Sequence, residues 1–168
     1  MIYFEAFGLE PRLQIDTEDL QQRFYRLSRE FHPDRYTRKP VVEQQMALER
    51  TSQLNDGIRI LKDPIRRAEY VLKHNGFDIG EQRTKDVPPE LLEEVFELNE
   101  ALEESDTTQL DGFQTRFVAM LSASDTELQQ RFAAYDLAQS RDELAAIRAI
   151  LNRRRYVDNL ITKIQSAL

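Results

Sequence analysis

The chain has 168 residues, 40% of them hydrophobic and 32% charged, a balance that suits one or two folded domains rather than a disordered segment. It has no cysteine and only two histidines, His32 and His74. This excludes disulfides, cysteine nucleophiles and thiolate ligation of iron–sulfur clusters, and argues against a multi-histidine metal site. The net charge of −7 is unevenly spread: residues 1–75 hold 13 Lys+Arg against 12 Asp+Glu, and residues 76–168 hold 10 against 18. The acidic second half lacks the basic footprint of a nucleic-acid binder.

With five glycines and six prolines there is little room for the many turns of a β fold, so an all-α chain is expected. Met1-Ile2-Tyr3-Phe4-Glu5 has neither the basic nor the apolar region of a signal peptide. No apolar run approaches the roughly 18 residues that span a bilayer. A bacterial cytoplasmic location is the expectation.

Tyr3, Phe4, Phe7 and Leu9 predict one or two helical turns, ended by Gly8. The next helix is capped by Asp16 or Thr17, with Glu18 and Asp19 in its first turn, where the helix dipole favours anions. Leu20, Phe24, Leu27 and Phe31 form its core stripe. Arg23, Arg26 and Arg29 step along the adjoining side, over about 120° of arc at the helical period. Pro33 breaks the helix, and a polar, basic loop is expected over 34–40.

A long helix follows, with Ala47, Thr51, Leu54, Ile58, Leu61 and Ile65 on one stripe. Asp63-Pro64 predicts a fresh cap and a kink or restart. The helix ends at His74-Asn75-Gly76, with Asn75 or Gly76 as the cap. Residues 76–88, with Gly80 and the pair Pro88-Pro89 at their end, predict an inter-domain connection.

An amphipathic helix is predicted over 89–104 on Leu91, Val95, Leu98 and Leu102. The stretch Ser122-Ala123-Ser124-Asp125 looks like a break, but Leu110, Phe117, Leu121, Leu128, Phe132 and Tyr135 keep one phase through it. The reading is therefore one long helix over about 107–138. Ser140 caps a last helix carrying Leu144, Ile147, Leu151, Ile161 and Ile164. Three such helices make a small bundle.

His32-Pro33-Asp34 stands between two antiparallel helices, after the arginine-bearing one. The residues alone allow a plain reading: a cation at a helix end, a helix stop and a turn residue. A general base with an orienting carboxylate finds no nucleophile or third group beside it, so no catalytic residue, cofactor or metal site is expected. In this setting the tripeptide resembles the signature of J domains. Asn55, Leu61, Asp63, Pro64, Arg67, Ala68 and Tyr70 resemble the same family's closing pattern. The resemblance implies a J domain over 1–75, an antiparallel hairpin with a short flanking helix. It implies that His32, Pro33 and Asp34 dock onto a DnaK-class chaperone and speed its ATP hydrolysis. Arg23, Arg26, Arg29 and Arg35 would supply complementary charge.

The second half has no glycine-rich or cysteine-rich region and reads as a helical bundle over 89–168. In length and arrangement the whole chain is similar to the HscB family, the J-proteins of iron–sulfur cluster assembly. Tyr3-Phe4, Phe7-Gly8-Leu9, Arg67-Ala68-Glu69-Tyr70, Gly76-Phe77-Asp78 and the Glu97-to-Glu104 pattern carry that likeness. It implies a HscA/DnaK-type chaperone and an IscU-type scaffold protein as partners.

By period alone, Leu92 and Phe96 fall off the core stripe beside Glu93, Glu97, Glu100 and Glu104. They form a small binding face, or they pack on the J domain or widen the core stripe. The resemblance assigns scaffold binding to Leu92, Phe96, Glu97, Glu100, Glu104 and Tyr156. Glu93 departs from the family, whose members can carry an apolar residue there.

Overall fold

The computed structural model describes residues 1–79 and 88–168. Every regular element among them is helical. The chain divides into two compact units, Met1–Gly76 and Phe77–Leu168.

The first unit holds α1 (Ile2–Ala6), α2 (Thr17–Glu30), α3 (Val41–Leu61) and α4 (Pro64–His74). Helix α1 lies on α3 because Gly57 lets it come close. A Cβ at Gly57 would stand 2.8 Å from the Phe7 ring and 3.3 Å from Tyr3. Phe4 and Phe7 are thereby fully buried, and Gly8, at φ +65, turns the chain out of α1. Tyr70 on α4 accepts the Tyr3 backbone N–H at 3.2 Å.

Asp16 is the cap of α2; its carboxylate accepts from the N–H groups of Glu18 and Asp19. Asp63 does the same for Ile65 and Arg66, so the long second arm restarts at Pro64 as the dipeptide predicts. Asn75 closes α4, and Gly76 follows at φ +80. Arg67 is buried, which a guanidinium tolerates only with acceptors around it. It donates from Nε to the Leu13 carbonyl at 2.8 Å and from Nη1 to the Leu61 carbonyl at 2.6 Å. The second of these acceptors is one of the open carbonyls at the end of α3.

The second unit is built from α5 (Leu92–Glu104), preceded by a 3₁₀ turn over Pro89–Leu91, with α6 (Thr107–Ala138) and α7 (Arg141–Ala167). Helix α6 runs unbroken through Ser122–Asp125, as the continuous phase requires. Its two junctions share one device. Ser105 and Gln139 end the preceding helices in the left-handed region, at φ 54 and 51. Asp106 and Ser140 then cap the following ones.

One end of the core joins Leu91, Leu98 and Ala101 to Leu110, Phe113 and Phe117 and to Val157, Leu160, Ile161 and Ile164. Toward the α6–α7 junction Leu128, Phe132 and Tyr135 are buried, as are Leu144, Ile147 and Leu151.

Most of the expected connection, residues 80–87, lies outside the described residues. Its start is not free chain. Arg141 places its guanidinium 4.4 Å from the Phe77 ring centroid, and Arg148 donates to the Asp78 carbonyl at 2.8 Å. Phe77 and Asp78 thus belong to the helical bundle, because α7 offers both of them a cation.

Candidate functional site

The polar, basic stretch over 34–40 begins in a 3₁₀ turn, Pro33–Tyr36, with His32 as its cap and Pro33 at its first position. His32 Nδ1 accepts the Asp34 N–H at 3.2 Å and also lies 3.6 Å from Asp34 Oδ2. One nitrogen cannot serve both contacts together. A neutral imidazole accepts the N–H with its lone pair; a protonated one turns toward the carboxylate. His32 and Asp34 side chains are 57% and 89% exposed, so both are presented to solvent.

Helix α3 holds the segment at both ends. Thr51 Oγ1 donates to the Phe31 carbonyl at 3.1 Å, just before His32. Gln44 Nε2 donates to the Lys39 carbonyl at 2.9 Å and, more weakly, to that of Thr37 at 3.4 Å. Thr37 in turn donates its hydroxyl to the Asp34 carbonyl at 3.4 Å.

The arginines divide. Arg26, Arg29 and Arg35 are exposed, and Arg29 Nε donates to the Tyr25 carbonyl at 3.3 Å. Arg23 departs from the expected exposed row. It pairs with Asp19 at 2.8 Å and donates to the carbonyls of Phe7 and Gly8 at 3.0 and 3.2 Å. Its guanidinium fastens the end of α1 to α2, because those carbonyls have no helical donor left. Tyr25 is exposed one turn before Arg29, a residue the charge pattern alone does not single out. Its signal is an aromatic on the polar side of an amphipathic helix.

On α5, Leu92 and Phe96 are 56% and 65% exposed. They do not widen the core stripe. With Leu92 as origin and about 100° per residue, Phe96, Glu100, Glu93, Glu104 and Glu97 follow within about 140° of arc. Among the described residues, none of these four glutamates forms an ion pair.

Tyr156, which packs against the bundle core, lies level with Leu92 by register. Arg153 lies 3.9 Å from Glu90, and Lys163 donates to Asn99 at 3.0 Å, so α5 and α7 run in parallel. Two turns back from Asn99 stands Leu92, and two turns back from Lys163 stands Tyr156. The heptad step changes the phase by only about 20°, so both face the same seam. Tyr156 is half-buried there, and burial pushes its phenol above the usual value.

Among the described residues no His, Cys, Asp and Glu side chains cluster so as to hold a metal ion. No described helix is long and apolar enough to cross a membrane.

A family model described as the HSCB C-terminal oligomerisation domain matches residues 87–165. A co-chaperone protein HscB homolog from Vibrio vulnificus is 33% identical, over 94% of this chain and 95% of its own. The chaperone HscB from Vibrio cholerae has the same fold, with a TM-score of 0.68 and 29% identity, over 99% of this chain and 96% of that one. Human co-chaperone protein HscB shares the fold at a TM-score of 0.66 and 24% identity, covering 98% of this chain and 80% of that one. One-third identity to a curated relative over almost its full length, together with the J-domain tripeptide at the tip of a helical hairpin, places the chain in the HscB family of co-chaperones.

Proposed function

We propose that this chain stimulates the ATPase of a HscA/DnaK-type chaperone and delivers to it an IscU-type iron–sulfur scaffold protein. The exposed His32-Pro33-Asp34 turn, fastened at both ends by α3, is the observation that carries the reading. A recognition element must be accessible and already ordered, since ordering it on contact would cost binding free energy. Arg26, Arg29 and Arg35 bring positive charge beside it, which raises the encounter rate and orients docking. Arg23 acts from beneath, by holding α1 in place.

Residues 1–75 are the chaperone-binding part in this reading, and 89–168 carry the scaffold. Leu92, Phe96 and Tyr156 supply the apolar contact; Glu97, Glu100 and Glu104 supply an acidic rim for a basic counterpart. Glu93 extends the rim where relatives can have apolar surface. The hydrolysis belongs to the partner, so the chain itself is a co-chaperone and not an enzyme, working in the bacterial cytoplasm.

The experiment is steady-state ATP hydrolysis by a HscA-type chaperone titrated with the full chain, with and without an IscU-type scaffold. Saturable stimulation is expected, and it should grow when the scaffold is present. A chaperone rate unchanged by the chain under both conditions would overturn the reading.

A further inference from the structure

A cavity of about 370 Å³ lies between α5, α6 and α7, inside the second unit. That is near the lower end of small-ligand sites, about 300–1,000 Å³. Leu91, Met120 and Val157 give it apolar walls. Its polar lining is Glu90, Glu94, Ser124, Glu127 and Arg153. None of these belongs to the face proposed for the scaffold.

The polar lining is rich in acceptors and poor in donors. Three carboxylates stand against one guanidinium. That guanidinium is already engaged: Arg153 Nη2 pairs with Glu127 at 3.0 Å, and Nη1 lies 3.9 Å from Glu90. Among the described residues no cation pairs with Glu94, and its Oε2 is buried with no hydrogen-bond donor. Ser124 is an independent sign. It sits in the middle of α6, only 6% exposed, lines the cavity, and makes no hydrogen bond with a described residue. The buried Glu94 oxygen without a partner leaves its desolvation uncompensated, and the Ser124 hydroxyl lines the same cavity without a hydrogen bond to a described residue. A metal ion does not meet this need, because no three acidic or imidazole groups among the described residues converge on one point.

We propose that this cavity binds one alkylammonium or guanidinium group on an aliphatic stem. The cation compensates Glu94 and the surplus negative charge, its N–H groups donate to Ser124, and its stem lies against Leu91, Met120 and Val157. The group is a free amine or the lysine or arginine side chain of a bound protein; the recognising chemistry is the same.

The test uses the full chain and isothermal calorimetry, with amide chemical shifts to locate the site. The probes are n-pentylamine, agmatine, the uncharged n-pentanol, and the peptide acetyl-Gly-Lys-Gly-amide. The cationic probes should bind, with shifts centred on residues 94, 124 and 157. Pentanol should bind at least about tenfold more weakly, as expected when a charge-assisted hydrogen bond is lost. Glu94→Gln should weaken pentylamine by about tenfold, and Ser124→Ala, which keeps a good helix former in α6, by a few-fold. A peptide that binds more tightly than the free amines identifies the occupant as a protein side chain; the reverse order identifies a free amine. Absence of binding by every cationic probe overturns the proposal. So does equal binding of pentanol and pentylamine, or pentylamine affinity unmoved by both substitutions.

Discussion

Thr51 holds the carbonyl of Phe31 at 3.1 Å, and so fixes the residue from which the His32-Pro33-Asp34 turn departs. The bond crosses from the second arm of the hairpin to the end of the first. It makes the position of His32 depend on α3 as well as on α2. Thr51→Val keeps the shape and removes the donor. It should cost about 1 kcal/mol of stability and leave a part-buried carbonyl without this donor. The expected functional result is weaker chaperone stimulation, with a higher concentration of the chain needed for half-maximal effect. Thr51→Ser should restore both. Equal stimulation by the Val variant would show that the turn holds its place without this bond.

Gly57 is required by the close approach of α1. Gly57→Ala places a methyl group 2.8 Å from the Phe7 ring, in a core that cannot yield freely. Overpacking of this kind costs about 1–3 kcal/mol, against a helix-propensity gain of about 1 kcal/mol. The net expectation is a lower denaturant midpoint by circular dichroism. Phe7→Leu in the same chain should recover part of the loss, and an additive double mutant would contradict the contact.

Ser105 and Gln139 hold left-handed backbone that favours glycine. Such residues carry a steric cost of about 1–2 kcal/mol, partly offset by the greater freedom of glycine in the unfolded chain. Ser105→Gly and Gln139→Gly should each raise the thermal midpoint slightly. A fall at both sites would count against the left-handed caps.

Burial raises the phenol pKa of Tyr70, Tyr135 and Tyr156, and for Tyr70 this outweighs the hydrogen bond from the Tyr3 backbone. The folded chain therefore keeps these protons when the unfolded chain has begun to lose them. Their contribution to stability is complete below pH of about 10 and is lost as pH rises through the folded values. Urea midpoints should fall on going from pH 9 to pH 11, and Tyr156→Phe should lessen the fall. A midpoint that rises over this range would contradict the assignment.

The α5 face predicts a separable binding loss. Leu92→Ala with Phe96→Ala removes exposed apolar surface, so the fold should be unaffected. Calorimetry with the scaffold should show affinity reduced by about tenfold or more, as hot-spot truncation does. Chaperone stimulation without scaffold should be retained. The glutamate rim should make the wild-type affinity fall with added salt. Unchanged scaffold affinity would remove these two residues from the interface.

Local signals made most of the helical framework legible in the sequence. The unbroken phase of Leu110, Phe117, Leu128 and Phe132 carried α6 through a serine-rich stretch, because a real break resets the phase. Asp63-Pro64 located the restart, since cap and proline act within one turn. What periodicity did not reach was the set of contacts between distant residues. Arg23 belongs to the polar side of α2 by angle, yet its acceptors, Phe7 and Gly8, come from the turn that follows α1. The docking of Phe77 and Asp78 on α7 depends on arginines more than 60 residues away. The exposure of Leu92 and Phe96 was open in the sequence, because an apolar stripe can be wide or narrow. It was settled by where α6 and α7 lie.

The most direct test of the central claim is single-turnover ATP hydrolysis by a HscA-type chaperone in the presence of the wild-type chain or its His32→Gln variant. His32 is more than half exposed and contributes one weak cap to the turn, so the variant should keep the melting curve of the wild type. The account predicts that His32→Gln abolishes stimulation while scaffold affinity is unchanged. Stimulation by the variant equal to that of the wild type would contradict it.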